Sequence, residues 1–152
     1  MQKYTWIFSL QDRLTPEAKE QLQKVLYLFT SQWKSHGTPV EGLIQIKRDQ
    51  FVIAQADPSV ARPSGCSIDS LRRGVDQILK NHGLPTFEPA FVGYENASGE
   101  TAFVDFRHVS QYVKEGKLTS ETTIFDNTLS QSDDLHLWEK PMKDTWLKRY
   151  LA

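Results

Sequence analysis

Apolar residues recur at helical spacing in two segments of the chain. The first segment comprises Ala18, Leu22, Val25, Leu26, Phe29 and Trp33, and the second comprises Ile68, Leu71, Val75, Ile78 and Leu79. Thr15-Pro16-Glu17 precedes the first set, and Thr as N-cap followed by Pro is a typical helix start. Gly37-Thr38-Pro39 is expected to end this helix, and Gly83 with Pro85 beyond it to end the second. The pattern therefore predicts two amphipathic helices.

Four shorter segments are rich in β-branched and aromatic residues, which favour strands. They cover residues 4–10, 43–47, 51–56 and 87–94. The second and third are joined by Arg48-Asp49-Gln50, a length typical of a hairpin connection. With the two helices, the element order is β-α-β-β-α-β. This order predicts an α+β fold with a ferredoxin-like core over residues 1–95, in which two helices cover one face of an antiparallel sheet.

The rest of the chain, residues 96–152, is expected to elaborate the same single domain of residues 1–152. Its pattern predicts a strand over residues 101–106, a short helix over 109–114 and a β-like segment over 122–125. The large aromatic residues are expected in the core rather than on a stacking surface. These are Trp6, Trp33, Trp138, Trp146, Phe29, Phe51, Phe103 and Phe106.

Composition and charge exclude several classes of protein. Eighteen basic and nineteen acidic residues give a net charge of −1, which argues against a nucleic-acid binder that relies on many phosphate contacts. A single cysteine cannot form an internal disulfide. The first residues do not resemble a signal peptide, and apolar runs are far shorter than the roughly 20 residues that span a bilayer. We therefore expect a cytoplasmic protein without a membrane partner.

The segment Arg62-Pro63-Ser64-Gly65-Cys66-Ser67-Ile68-Asp69-Ser70 places the only thiol at the start of the second helix. Unpaired backbone N–H groups and the helix dipole favour a thiolate or a bound anion there. Cys66 is therefore the candidate catalytic residue, a nucleophile with a lowered pKa. The candidate anion or small-ligand site comprises Ser64, Gly65, Cys66, Ser67, Asp69, Ser70, Asp57 and Arg62.

A purely structural interpretation explains the same residues. Ser67 is then the N-cap, Asp69 a residue favoured by the dipole, and Cys66 a small buried side chain. Alternatively Ser64 is the cap, which puts Cys66 inside the first turn. A Cys66–His36 dyad is disfavoured, because the ferredoxin-like arrangement separates the two by about a helix length, on the order of 20 Å.

Familiar cofactor-binding and nucleophile motifs are missing from the sequence. There is no phosphate-binding loop of the G-x-x-x-x-G-K-[ST] type and no G-x-G-x-x-G or G-x-S-x-G motif. The four histidines are scattered, and with one cysteine they give no paired metal-ligand spacing. We therefore expect no cofactor and no metal.

Several of these residues occur together in one known pattern. It comprises Trp33-x-x-His36-Gly37-x-Pro39-Val40-x-Gly42, Phe51, Ala56-Asp57-Pro58-Ser59 and the Ser64-Gly65-Cys66-Ser67-Ile68-Asp69-Ser70 string. In this the chain resembles a family of uncharacterised proteins from Bacteroidetes-type bacteria, whose members often carry the label "ABC transporter ATPase". The resemblance implies a bacterial cytosolic protein and brings no established catalytic residue. The ATPase label conflicts with the missing phosphate-binding loop and the short chain.

Three functions remain open on the sequence. The leading hypothesis is a module that binds a small ligand, an anion or a protein partner. The first alternative is an enzyme or thiol redox sensor built on Cys66. The second is a structural homodimer that pairs through its sheet.

Overall fold

The structure, a computed structural model, forms two compact units. The described residues up to Thr86 belong to the first unit and those from Phe87 on to the second. The structure describes residues 4–32, 34–35, 38–39, 42–56, 65–128 and 138–151. The fold is α+β, as predicted, with antiparallel sheets in both units.

The first unit contains a three-stranded sheet and two long helices. Its elements are β1 (Tyr4–Ser9), α1 (Pro16–Gln32), β2 (Lys34–Ser35), β3 (Thr38–Pro39), β4 (Gly42–Lys47), β5 (Phe51–Ala56) and α2 (Gly65–Asn81). The sheet order is β1-β5-β4, with both pairings antiparallel, while β2 and β3 pair only with each other. Because β5 lies in the centre, its residues pair on both sides, as Ala54 does with Trp6 and Ile44.

Both helices pack against one face of this sheet. Buried apolar residues of both helices form one cluster with Val52 and Ala54 of β5. They are Leu22 and Leu26 of α1 and Leu71, Val75 and Leu79 of α2. These β5 residues share a face because side chains alternate along a strand. The helices approach closely at Gly74, where an added Cβ would lie 2.1 Å from the Phe29 ring.

Helix ends in this unit follow the chemistry of the sequence. Thr15 Oγ1 accepts from the backbone N–H of Ala18 at 3.2 Å, which confirms the predicted N-cap of α1. The predicted end of α2 is also confirmed, since Gly83 has a φ of +67°. The N–H of Gly83 donates to the Lys80 carbonyl, and the N–H of Leu84 donates to the Leu79 carbonyl; together these two bonds form a Schellman motif. α1 ends at Gln32, earlier than the expected end at residues 37–39.

The connection between β4 and β5 turns in the left-handed region. Arg48 and Asp49 have φ values of 54° and 58°. The turn is anchored to the chain after β1, because the Asp49 carbonyl accepts from the N–H of Leu14 at 2.7 Å and Gln50 Nε2 donates to the Leu10 carbonyl at 2.9 Å. Lys19 Nζ donates to the Asp49 carboxylate at 2.9 Å. The predicted hairpin is therefore confirmed and held at its tip.

The expected fourth strand of the first sheet does not form there. The strand nearest that position is β6 (Phe91–Glu95), and it pairs with strands of the second unit. Thr86 forms a single antiparallel bridge to Leu10, which follows β1, and the Pro85 carbonyl accepts from the N–H of Gln11 at 2.9 Å. Pro85 and Pro89 explain the difference, because proline has no N–H to donate to a ladder. Placing residues 87–94 in this sheet was wrong.

The second unit contains a four-stranded antiparallel sheet. Its elements are β6, β7 (Thr101–Asp105), α3 (Val109–Lys114), β8 (Thr123–Phe125) and β9 (Glu139–Pro141), with 3₁₀ helices at Phe106–His108, Met142–Asp144 and Trp146–Tyr150. The strand order is β7-β6-β8-β9. The elements predicted over residues 101–106, 109–114 and 122–125 are confirmed as β7, α3 and β8.

One face of this sheet forms the core of the second unit. Val92 and Tyr94 of β6, Val104 of β7 and Ile124 of β8 cluster with four buried residues from the connections and short helices. These are Val109, Leu118, Met142 and Leu147. Among the described residues, no helix is long and apolar enough to span a membrane.

Candidate functional site

The sequence-predicted site lies at the start of α2, and the structure describes only part of its residues. Asp57, Arg62 and Ser64 lie outside the described residues. The backbone of Gly65, Cys66, Ser67 and Asp69 forms the beginning of the helix, and Ser70 is exposed. Because α2 begins at Gly65, Cys66 lies inside the first turn and Ser67 is not the N-cap. The thiol and anion-binding hypotheses stay predictions. The statement that a Cys66–His36 dyad is disfavoured also stays a prediction, because His36 lies outside the described residues.

Described residues of the second unit line a small cleft. The cleft has a volume of about 40 Å³, enough for a few water molecules or one small polar group. Its walls are Pro89, Phe91, Val92, Ile124, Phe125, Asp126, Asn127, Thr128 and Trp146. The sheet supplies the apolar walls, and the turn after β8 supplies three consecutive polar residues.

Asp126 is the charged residue of the cleft. Its carboxylate accepts from Lys140 Nζ at 2.8 Å, from the backbone N–H of Thr128 at 3.0 Å and from the Thr128 hydroxyl. Burial would raise the pKa of this carboxyl, but the hydrogen bonds from Lys140 and Thr128 outweigh burial and hold the pKa below its ordinary value. Asp126 is therefore ionised at neutral pH and presents acceptor oxygens only.

The polar turn is fixed in place by Trp138, which is fully buried. Trp138 Nε1 donates to Asn127 Oδ1 at 3.1 Å, and the Trp138 carbonyl accepts from the N–H of Asp126 at 2.7 Å. The Trp138 ring also stacks on Phe125, with ring centroids 4.9 Å apart. These contacts give the cleft a preformed polar wall.

Trp146 forms an aromatic wall of the cleft and remains 42% exposed. It opens the 3₁₀ helix Trp146–Tyr150, which is capped by the Thr145 hydroxyl accepting from the N–H of Leu147 at 3.1 Å. The rings of Phe106 and Tyr150 lie 6.4 Å and 6.5 Å from the Trp146 ring. Phe106, itself 37% exposed, and Trp146 are thus surface aromatics, and the prediction that both belong to the core was wrong.

Arg149 lies against this aromatic group. Its guanidinium carbon is 6.0 Å from the centroid of Trp146 and 5.6 Å from that of Tyr150, within the range of cation–π contact. Arg107 is held differently, because it donates to both carboxylate oxygens of Asp105 at 3.0 and 2.6 Å. Those hydrogen bonds lower the pKa of the Asp105 carboxyl to about 2.

Sequence reasoning missed this site because tryptophan is a common core residue. A signal was nevertheless present in the spacing of Trp146, Arg149 and Tyr150, which lie three and four residues apart. Residues at that spacing lie on one side of a helical turn. Among the described residues, no three His, Cys, Asp or Glu side chains form a group that could hold a metal ion.

Comparison of the chain with known proteins gives no match to a family model, to a curated protein or to a solved structure. The resemblance to the bacterial family therefore stays a prediction.

Proposed function

We propose that this protein is a small-ligand-binding module whose site is the cleft of the second unit. One observation carries the proposal: a half-exposed tryptophan ring lines the same cleft as an ionised, rigidly held carboxylate. Pockets that combine an apolar surface with a few fixed polar groups are typical of small-molecule sites. The function is binding, and no described residue is assigned a catalytic role.

The shape of the cleft defines how a ligand would be held. A volume of about 40 Å³ accepts only one small polar group, so the larger part of the ligand lies outside the cleft against Trp146. The group that enters donates hydrogen bonds, because Asp126 offers acceptors only. A planar ring with an N–H or O–H substituent satisfies both requirements, since ring stacking on tryptophan adds to the burial of apolar surface.

This function is tested by nuclear magnetic resonance titration with adenosine and with benzyl alcohol. We expect both compounds to shift the indole N–H signal of Trp146 and the backbone signals of Asn127 and Thr128. Trp146→Ala should weaken binding by about tenfold, the value of one aromatic contact. Tyr27→Ala removes an aromatic ring that is 71% exposed on α1 and serves as the matched control. Unchanged signals at the cleft residues with every probe would refute the proposal.

The strand order of the first unit supports a proposal about its fold. The order β1-β5-β4, with both helices on one face, equals three adjacent strands of a ferredoxin-like sheet. The bridge from Leu10 to Thr86 lies where the fourth strand would pair. We therefore propose a ferredoxin-like unit in a cytoplasmic protein, with the fourth strand reduced to one bridge. Nuclear Overhauser contacts between Leu10 and Thr86 test the bridge.

A further inference from the structure

We infer that the ligand carries an oxyanion, a carboxylate or a phosphate, and that Arg149 binds it; this inference rests on the proposed function. Arg149 would then determine which class of ligand the cleft prefers. The ligand would have a hydrogen-bond donor at the Asp126 end, a planar ring at Trp146 and the oxyanion at Arg149.

The first support is the way in which Arg149 is held. Its guanidinium lies against the rings of Trp146 and Tyr150, which restrict a long and otherwise mobile side chain. A guanidinium held by ring contacts keeps its N–H groups available for hydrogen bonding. Those N–H groups form the planar fork that matches a carboxylate or phosphate with two hydrogen bonds.

The second support is a comparison with other cations of the same unit. Arg107, Lys117, Lys140 and Lys143 each face a carboxylate of this chain, at distances from 2.6 to 3.1 Å. Within the described part of this unit, Lys114, Lys148 and Arg149 have no ion pair, and of these three cations Arg149 is the one that lies against aromatic rings. Its charge is therefore both held in place and left for an anion from outside.

The third support is the position of Trp146, which belongs to both groups of residues. Its ring lines the cleft that contains Asp126, and it also contacts Arg149. A ring placed on Trp146 thus has as neighbours the Asp126 carboxylate, which is already paired with Lys140, and the guanidinium of Arg149. An uncharged ligand would use only the first, whereas a ligand with an oxyanion would use both.

The experiment compares pairs of probes that differ in charge. Adenosine monophosphate is compared with adenosine, and 4-(hydroxymethyl)benzoate with benzyl alcohol, by calorimetry and by the Trp146 signal, so that each pair keeps its hydrogen-bond donor and differs in the oxyanion. Inorganic phosphate reports the contribution of the anion alone. We expect the charged member of at least one pair to bind about tenfold more tightly, as charge-assisted hydrogen bonds predict. A gain with the monophosphate alone identifies a phosphate ligand, and a gain with 4-(hydroxymethyl)benzoate alone identifies a carboxylate.

Three variants assign the gain to Arg149. Arg149→Ala should reduce the ratio of affinities to about one, and Arg149→Lys should restore only part of it because lysine lacks the planar fork. Lys148→Ala removes an equal charge from the same 3₁₀ helix. Since Lys148 has no cation–π contact with any described ring, this variant should keep the ratio. Equal affinities for charged and uncharged probes, or equal losses in the Arg149 and Lys148 variants, would overturn the inference and leave the proposed function intact. Failure of all probes to reach Trp146 would refute the proposed function itself.

Discussion

The two units of this protein are stabilised in different ways. In the first, helices of 17 residues each lay a continuous apolar stripe on strands of six residues. In the second, strands of three to five residues and 3₁₀ turns are held by specific polar contacts, such as the bond from Trp138 to Asn127. Short elements bury less surface, so single hydrogen bonds and single aromatic rings have more influence on their position.

The two units also differ in whether their polar contacts hold the fold or line a candidate binding site. In the first unit, polar contacts hold a turn, as Lys19 does with Asp49, and join paired strands, as Gln55 does with Thr5. Tyr27 is exposed there on a helix surface. In the second unit, the exposed ring of Trp146 instead lies beside a cleft with an ionised carboxylate. Irregular segments on a fixed frame commonly carry binding residues, and the second unit follows that rule.

The largest expected effect is a difference in stability between alanine variants of two tryptophans in the second unit. Trp138→Ala should lower the free energy of unfolding by about 3–5 kcal/mol, because Trp138 is fully buried, stacks on Phe125 and holds the Asn127 turn. Trp146→Ala should lower it by about 1 kcal/mol or less, since much of that ring already faces water. Urea denaturation measures both values. Similar losses would mean that Trp146 is a structural residue and not part of a binding surface.

A smaller loss of stability is expected for a substitution at the contact between the two helices of the first unit. Gly74→Ala should cost about 1–3 kcal/mol, because the new Cβ would overlap the Phe29 ring unless that ring or one of the helices moves. Phe29→Leu provides space, so the double variant Gly74→Ala/Phe29→Leu should lose less stability than the two single losses added together. Urea denaturation of all four proteins completes the cycle. Strict additivity would show that the close approach of the helices does not constrain Gly74.

Long periodic segments were the part of the fold that sequence could predict. Helical spacing, the Thr15 cap and the Gly83 stop each have a local physical cause, and the structure confirms both helices. The choice of sheet by β6, in contrast, depends on which partner strands the rest of the chain supplies. Residues 91–95 have strand character in either sheet, and the nearby Thr101–Asp105 offers a partner across a short turn, while Pro85 and Pro89 interrupt the alternative ladder.

The binding site was harder to predict because side-chain type does not determine exposure. Trp138 and Trp146 are the same residue eight positions apart, yet one is fully buried and the other is half-exposed. What distinguishes them is the surrounding fold. Trp138 immediately precedes β9, and Trp146 begins a 3₁₀ helix beside the cleft.

The smallest expected effect compares one carboxylate from each unit. The pKa of Asp105 is lowered to about 2 by its hydrogen bonds with Arg107, and the pKa of Asp49 is lowered mainly by its hydrogen bond with Lys19. A lowered pKa in the folded state contributes stability above the unfolded value of 3.8, and this contribution is lost as pH falls through the folded value. Asp105 should therefore contribute to a fall in melting temperature between about pH 4 and pH 2.

Asn variants separate these two contributions. Asp105→Asn should flatten the acid fall in melting temperature more than Asp49→Asn, because Asp105 accepts two hydrogen bonds from the Arg107 side chain and one from its backbone N–H. The Asp49 side chain is 36% exposed, so water and salt screen its pair with Lys19. Added salt should accordingly reduce the contribution of Asp49 to the acid fall in melting temperature more than that of Asp105. An acid fall of equal slope in both variants would show that the two-pronged pair of the second unit, in which only the carboxylate is buried, has no advantage over the half-exposed pair of the first.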